Sequence, residues 1–233
     1  MNTKITKFIV LVTVLGGLIF STSSVKADTR FEEFKKMAEE RAEQAKERVE
    51  KIREEAKERI KNKREEVEQK ISKLRDQKKK DSALKINNQL DNINQIWTNH
   101  FLNVLNRLDE VLQKIASRTE KASANGKDVA NVKIAIQTAV QKIATARTAV
   151  ENQAKKTYLV DTTAISQADQ TSNDQSSLVS KLREQFKIQK DLLKADLTAL
   201  RDGLIKEARQ AVKSAFEALS QVPNVDEEPQ TSN

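Results

Sequence analysis

The sequence contains no cysteine, and it is also poor in glycine, proline and aromatic residues. Of 233 residues, four are glycine, two are proline, one is tryptophan and one is histidine. The absence of cysteine excludes disulfides and cysteine-containing metal sites. Because residues that form turns are scarce and 33% of the chain is charged, the composition argues against a sheet and indicates long helices around a narrow core.

Motifs of catalysis are absent from the sequence as well. It has no Gly-x-Gly, no Gly-x-Ser-x-Gly and no Cys/His spacing. The single histidine, His100, stands near Trp97 and Phe101, and the residue three positions before it is not the glutamate of a Glu-x-x-His bundle site. An aromatic cluster at the edge of a core is the better interpretation. We therefore expect a non-enzymatic protein with no cofactor and no metal.

The N-terminus has the pattern of an export signal. Lys4 and Lys7 precede the uncharged apolar stretch 8–20, and Val25-Lys26-Ala27 then resembles a signal peptidase site. Thirteen apolar residues are fewer than the roughly 20 that a membrane-spanning helix needs. We expect cleavage before Asp28, which removes three lysines and lowers the net charge from +8 to +5. The alternative is an uncleaved N-terminal anchor.

An eleven-residue unit is repeated three times between residues 41 and 73. The copies read RAEQAKERVEK, IREEAKERIKN and KREEVEQKISK. Eleven residues over three turns give about 3.67 residues per turn, so the apolar seam scarcely drifts around a helix. Two apolar positions per unit suffice for one neighbouring helix, but not for burial on several sides. The seam consists of Ala45, Val49, Ala56, Ile60, Val67 and Ile71.

Acidic residues precede basic residues by four positions along this stretch, as in Glu47–Lys51 and Glu55–Arg59. Each such pair adds about 0.2–0.5 kcal/mol to an isolated helix. We therefore expect this helix to form without a packing partner and to extend beyond the bundle as a stalk. Since no glycine or proline interrupts residues 77–84, it should continue into the next helix.

Basic residues flank the apolar seam, and acidic residues lie opposite it. This arrangement is typical of helices on lipid surfaces, because long basic side chains can reach phosphates. The seam is narrow and rich in alanine, which favours a solvated stalk or a coiled-coil contact between copies instead. The predicted lipid- or partner-contact face consists of Phe31, Phe34, Met37, Arg48, Val49, Arg59, Ile60, Lys70 and Ile71.

Three apolar stripes at helical spacing follow the repeat, within residues 90–115, 129–154 and 178–219. Trp97 lies in the middle of the first stripe and is expected to be buried. Gly126 is a candidate for a left-handed helix cap, so the first two stripes should form an antiparallel hairpin.

These patterns predict an all-α protein in which a long charged N-terminal helix leads into an antiparallel three-helix bundle. Asp128 should cap the second bundle helix, and Gly203 should weaken the third without ending it. The polar stretch 162–177 is expected to be a flexible loop. The predicted organisation is a signal peptide over 1–27, a charged repeat helix over 28–84, a bundle over 85–220 (helices 85–122, 128–160 and 176–220) and a disordered tail over 221–233.

Two resemblances accompany this organisation. The hairpin phrase Gly126-Lys127-Asp128-Val129, followed by an alanine-rich helix, a Ser/Thr-rich loop and a Leu/Ala/Arg-rich last helix, resembles secreted helical-bundle proteins of small-genome bacteria. That resemblance implies architecture and export, and it implies no activity and no functional residues. The eleven-residue units are similar to those of apolipoproteins and desiccation-protectant proteins.

We therefore expect an exported protein, which is secreted, periplasmic or at the cell surface and acts as a helical stalk, scaffold or interaction protein of the cell envelope. One alternative is a peripheral lipid-surface binder, and another is a helical chaperone with an apolar groove between its helices. Expected partners are an envelope protein, an anionic membrane or polymer, or a second copy through the N-terminal helix. Nucleic acid is not expected, because Lys78-Lys79-Lys80 has no recognition fold or aromatic platform around it.

Overall fold

All regular secondary structure that the computed structural model describes is helical, so the predicted all-α class is confirmed. The structure describes residues 27–73, 75–160 and 175–225. A π-helical turn (Arg201–Ile205) joins the last two helices. In chain order the helices are α1 (Ala27–Arg59), α2 (Lys61–Ser72), α3 (Gln77–Ala124), α4 (Ala130–Ala154), α5 (Gln175–Leu200) and α6 (Lys206–Ser220).

The charged repeat helix packs on the bundle, which corrects the expected stalk. Helices α1 and α2 run antiparallel to α3, and α1 also contacts α4. The seam residues Ala45, Val49, Val67 and Ile71 are buried in the same core as the bundle helices. A seam with two apolar positions per repeat needs one neighbour, and α3 is that neighbour.

The chain reverses between α2 and α3, so the expected continuous helix is also wrong. The residues 77–84 are helical, but α2 ends at Ser72 and α3 begins at Gln77. Asp76 caps α3, because its side chain accepts a hydrogen bond from the backbone N–H of Lys79 at 3.2 Å. Such a cap satisfies a donor that the first helical turn leaves unpaired, so a new helix can start without glycine or proline.

The α3–α4 hairpin forms as predicted. Gly126 has φ +75°, in the left-handed region that glycine adopts readily. The N–H of Lys127 donates to the carbonyl of Ala122 at 3.0 Å, and that of Gly126 donates to the carbonyl of Ser123 at 3.0 Å. These two bonds are the Schellman motif. The cap position of α4 is Val129 and not the expected Asp128, which lies one residue earlier and accepts at Oδ1 from the N–H of Ala130 at 3.0 Å.

The buried stripe of α3 is rotated from the predicted one. Phe101, Leu105 and Leu112 are buried, whereas Trp97 is 37% exposed and Val111 is also exposed. Polar side chains occupy part of the buried face instead, since the buried residues of α3 also include Asn87, Asn94, Thr98 and Thr119. The expected burial of Trp97 was therefore wrong. It packs against Phe101 and His100, with ring centroids 5.6 Å away in both cases, so the predicted aromatic cluster at the core edge is confirmed.

A π-helical turn around Gly203 keeps the apolar faces of α5 and α6, the helices before and after it, directed towards the core. Leu200 and Ile205 are both buried although they are five positions apart, a spacing that a regular α-helix places on different faces. The extra residue of the turn restores the alignment. Consequently Ile205 and Val212 are buried, and the expected Leu204 and Ala211 lie at the edge of the core.

Several predicted boundaries shift or lie outside the described residues. Helix α4 ends at Ala154 instead of residue 160, because the following segment turns to bury Tyr158 and Val160. Of the expected tail, residues 221–225 form a turn that buries Val222. The first 26 residues, most of the predicted loop (161–174) and residues 226–233 lie outside the described residues.

Candidate functional site

The apolar members of the predicted lipid- or partner-contact face that belong to the repeat are turned towards the protein. Val49 and Ile71 are buried, and Ile60 is half-buried at the bend where α1 meets α2. Met37 is exposed, at 44%. The side chains of Phe31 and Phe34 lie outside the described residues.

The basic members of that face have contacts within the protein. Arg48 pairs with Glu151 of α4, with Nε and Oε1 3.2 Å apart. Arg59 donates from Nε to the carbonyl of Glu55 at 3.3 Å, and Lys70 is half-buried. A lipid or partner surface that used Val49 and Ile71 would therefore require α1 and α2 to leave α3.

A buried polar network fixes where α4 ends against α3. Asn94 donates from Nδ2 to the carbonyls of Gln153 and Lys156, at 3.2 and 3.1 Å. Gln153 returns a bond from Nε2 to Oδ1 of Asn94 at 3.0 Å. These contacts bind one carbonyl in the last turn of α4 and one just after the helix ends. As a result α4 stops at the level of Asn94, while α3 continues towards its own N-terminus for about four more turns.

The same network ties α5 to the end of α4. The hydroxyl of Tyr158 accepts from Gln153 at 2.6 Å and donates to Asp196 of α5 at 2.7 Å. Burial, together with the hydrogen bond to Asp196, raises the pKa of Tyr158 well above its usual range. Asp196 also pairs with Lys156 at 2.9 Å. Although burial alone would raise the pKa of Asp196, the hydrogen bonds from Lys156 and Tyr158 outweigh it and lower that pKa.

An open groove follows the stretch of α3 and α5 beyond the end of α4. It has a volume of about 780 Å³ and begins one residue before Asn94. Both helices present apolar side chains to it at helical spacing, and Ile86, 40% exposed, is the most accessible of the large ones. We call this feature the α3–α5 groove. Its apolar floor is formed by Ala83, Ile86, Leu90, Ile93, Val179, Leu182 and Phe186.

The rim of the α3–α5 groove is basic. Arg183, Lys187 and Lys190 line the α5 side on successive turns, and Lys78 and Lys79 line the α3 side near its N-terminus. Among the lining residues that the structure describes, none is aspartate or glutamate. One of these cations has an acidic partner outside the lining, since Oδ2 of Asp76 is 3.8 Å from Nζ of Lys79. Because five cations border an apolar floor, the groove has a positive potential and favours an amphipathic anionic occupant.

A second cavity of about 460 Å³ lies between α1 and α3 and has a different character. Its lining carries both signs of charge, from Lys46, Glu47, Glu50 and Arg53. Arg53 is already bound across the helix interface, where Nη2 donates to Thr98 at 2.5 Å and to Asn99 at 3.1 Å. We assign this cavity to the interface between α1 and α3, and the α3–α5 groove remains the candidate site.

Within residues 27–73, 75–160 and 175–225, the acidic and histidine side chains form no cluster of three that could hold a metal ion. None of the helices described there is long and apolar enough to cross a membrane. Comparisons of this chain with protein-family models, with curated proteins and with solved structures found no match.

Sequence reasoning missed the α3–α5 groove as a site, although some of its signals were present. Lys78-Lys79-Lys80 was considered only as a nucleic-acid contact and interpreted as a solvated helix face, and the basic residues of α5 were not singled out. Arg183, Lys187 and Lys190 recur at i, i+4 and i+7 beside the stripe of Leu182 and Phe186, which is the pattern of a basic flank. The sequence does not reveal that α4 ends at Ala154, beside Asn94 of α3, and that end determines where the groove begins.

Proposed function

We propose that this chain is an exported, non-enzymatic scaffold protein of the cell envelope that binds a partner in the α3–α5 groove. The observation that carries the proposal is an apolar groove with a basic rim between α3 and α5. Apolar grooves between helices are common binding surfaces for helical segments of other proteins. The export part of the proposal is supported by the basic, apolar and small-residue pattern of the first 27 residues.

Photocrosslinking in the producing cell tests this proposal. A benzoyl-phenylalanine at position 86 places the photoreactive group on the floor of the α3–α5 groove. The matched control is position 134 on α4, where Ile134 is 62% exposed and does not line the groove. We expect a discrete adduct in the envelope or medium fraction from position 86 and none from position 134. Equal adducts from both positions, or none from position 86, would contradict the groove as the binding surface.

The export part has its own measurement. If the signal peptide is cleaved after Ala27, the intact mass of the protein recovered outside the cytoplasm corresponds to a chain that starts at Asp28. A retained Met1 on the exported protein would instead identify an uncleaved anchor.

A helical chaperone is the second candidate function, because an open apolar groove is the cradle that such a protein needs. The two functions differ in selectivity. A chaperone should suppress the aggregation of several unrelated unfolded proteins, and Ile86→Asp should reduce that suppression. A scaffold should bind one class of partner and leave such aggregation unchanged.

The lipid-surface interpretation has less support, because the seam residues Val49 and Ile71 are buried against α3. A lipid binder of this kind must release α1 and α2 from the bundle. Hydrogen exchange with and without anionic vesicles distinguishes the cases, since release would remove amide protection from α3 residues such as Thr98 and Leu105.

A further inference from the structure

The inference concerns the occupant of the α3–α5 groove and rests on the proposed function. We propose that the groove receives an acidic amphipathic helix of a partner protein, with its apolar face on the floor and its carboxylates on the basic rim. The choice of a helix over another occupant follows from the length, the charge spacing and the shape of the groove.

The length of the groove fits a short helix. Its lining runs from Lys78 to Ile93 on α3 and from Val179 to Lys190 on α5. At 1.5 Å per residue these stretches span about 22 Å and about 17 Å. A helix of about 12–15 residues, with three to four turns of apolar side chains, would cover the floor.

The spacing of the rim cations favours several anionic groups over one. Arg183, Lys187 and Lys190 lie on three successive turns of α5, so they are spread over about 10 Å along the groove. Lys78 and Lys79 lie across from them, towards the N-terminal end of α3. A lipid presents its anionic head at one end of an apolar chain and would leave most of these cations without a partner. Glutamates at i, i+4 and i+7 of a helix repeat with the same pitch as the cations on α5.

The groove is also open along its length, whereas sites for small ligands enclose most of the ligand surface. An open groove suits an occupant that buries one face and keeps the other in solvent, as an amphipathic helix does. A second copy of this chain is a poor occupant, because the net charge is +8 for the full chain and +5 after the expected cleavage, so the basic rim would meet like charge.

The test uses the full mature chain and three synthetic peptides of fifteen residues. The acidic peptide carries leucines on one helical face and glutamates on both flanks. The basic peptide has lysine in place of each glutamate, and the scrambled peptide has the acidic composition without an apolar face. Binding is measured by fluorescence anisotropy of a labelled peptide. The single tryptophan, Trp97, lies one helical turn beyond Ile93 and gives a second readout without a label.

Two groove variants and two controls complete the design. Ile86→Asp places a charge on the floor at a position that is already exposed, so the fold should survive it. The pair Arg183→Glu and Lys187→Glu changes the five positive charges of the rim to three positive and two negative charges. The control for the rim is Lys194→Glu, a charge reversal one turn beyond Lys190 and outside the lining. The control for the floor is Ile134→Asp, which introduces the same aspartate on α4.

We expect the acidic peptide to bind at least about tenfold more tightly than the basic or the scrambled peptide, with an affinity that falls as salt rises. Ile86→Asp should weaken binding by about tenfold or more, and the rim variant should remove most of the preference for the acidic peptide over the basic one. Both controls should bind as the unmodified chain does.

The contrary outcomes separate this inference from the proposed function. If both charged peptides bind equally and Ile86→Asp abolishes both, the acidic partner is wrong and the groove as a binding site stands. If peptides bind regardless of Ile86→Asp, both proposals fail. If anionic phospholipid vesicles bind in an Ile86-dependent way and no peptide does, the occupant is a lipid. Concentration-dependent association of the chain in sedimentation, lost in Ile86→Asp, would identify a second copy.

Discussion

Arg53 of α1 donates from Nη2 to the hydroxyl of Thr98 at the centre of α3, with a donor–acceptor distance of 2.5 Å. The same guanidinium nitrogen contacts Asn99 at 3.1 Å, and Nη1 pairs with Glu50 at 3.1 Å. Arg53 is only 8% exposed although it belongs to the charged repeat. The planar guanidinium group of an arginine carries several N–H donors in a fixed arrangement, so one side chain can bind several acceptors. This contact sets the register between the repeat and the bundle, because it joins residues 45 positions apart in sequence.

Replacing Arg53 by alanine should therefore destabilise the whole protein. The change leaves acceptors of α3 buried without a donor, and a buried unsatisfied group costs about 1–3 kcal/mol. We expect a loss of about 2–3 kcal/mol in the free energy of unfolding, measured with urea and far-UV dichroism. Arg59→Ala is the control, since Arg59 is exposed and bonds only within its own helix. It should change stability by less than about 0.5 kcal/mol. Equal effects of the two changes would mean that α1 does not depend on Arg53 for its packing.

The interface around Arg53 also explains why the predicted stalk, a charged helix without a packing partner, was wrong. The regular acid–base pairs of the repeat predict a helix, and that prediction is confirmed for α1 and α2. Local pairs do not tell whether a helix also has a neighbour. The seam of Ala45 and Val49 required one neighbour, and a long apolar stripe in α3 was available. The decisive step is the reversal at Asp76, which depends on one side-chain cap and not on a glycine or proline.

The burial of α3 was predicted imperfectly for a related reason. Apolar spacing alone placed Trp97 inside, whereas the structure places Asn94 and Thr98 there. Asn94 is satisfied by carbonyls at the end of α4, and Thr98 accepts from Arg53 while bonding to its own helix. Buried polar groups are stable when all their bonds are made, but the partners come from distant parts of the chain. The apolar residues of the α4 stripe are mostly buried as expected, but the buried Arg147 and Gln153 of this helix, whose partners lie on α3, were not predicted.

A second prediction concerns the buried ion pair between Asp109 of α3 and Arg147 of α4. Nη2 of Arg147 donates to Oδ2 of Asp109 at 2.6 Å, and both side chains are largely buried. Burial raises the pKa of Asp109, although the hydrogen bond from Arg147 opposes that shift. The desolvation cost of the pair is therefore large. Asp109→Ala should destabilise the protein by about 3–5 kcal/mol, because it leaves the arginine buried without its partner.

The matched control removes both charges. Asp109→Leu combined with Arg147→Met should recover most of that loss, since an apolar pair of similar volume needs no hydrogen bonds. Urea unfolding of Asp109→Leu, Arg147→Met and the double variant gives the coupling free energy of the pair. A double variant that is as unstable as Asp109→Ala would show that packing, and not the ion pair, determines stability at this position.

The third prediction is the dependence of stability on pH. The hydrogen bonds of Asp196 to Lys156 and Tyr158 lower its pKa in the folded protein relative to the ordinary value near 3.9. A carboxyl with a lowered folded pKa stabilises the protein above its unfolded pKa, and this contribution is lost as pH falls through the folded pKa. Asp196→Asn should therefore be less stable than the unmodified protein at neutral pH. The difference should shrink as pH falls below about 4.

This difference is measured by urea unfolding of both proteins between about pH 2 and pH 6. Asp109 titrates in the opposite sense, because its pKa is raised, but it is present in both proteins and cancels in the comparison. A stability difference that stays constant over the whole range would mean that Asp196 has the same pKa in the folded and unfolded chains.

The fourth prediction tests the π-helical turn. Because this turn inserts one residue between Leu200 and Ile205, deletion of Gly203 would leave these two residues four positions apart, on one face of a regular helix. We expect the deletion to change the free energy of unfolding by no more than about 1 kcal/mol. Deletion of Lys194 in the regular part of α5 is the control. It rotates the following apolar face by about 100° away from the core and should prevent cooperative unfolding. If both deletions abolish folding, the turn has a structural role beyond alignment.

The last prediction compares two neighbouring aromatic residues on α3. Phe101 is 2% exposed and belongs to the core, whereas Trp97 packs on its edge with one side in solvent. Truncating a fully buried phenylalanine costs about 3–5 kcal/mol, because it combines lost burial with a cavity. Phe101→Ala should reach that range, and Trp97→Ala should cost roughly half as much or less, since part of the indole is hydrated in the folded state. Urea unfolding followed by far-UV dichroism measures both variants without relying on tryptophan emission. Equal losses would mean that Trp97 is buried in solution, as its place in the apolar stripe predicted. The buried face of α3 would then include Trp97.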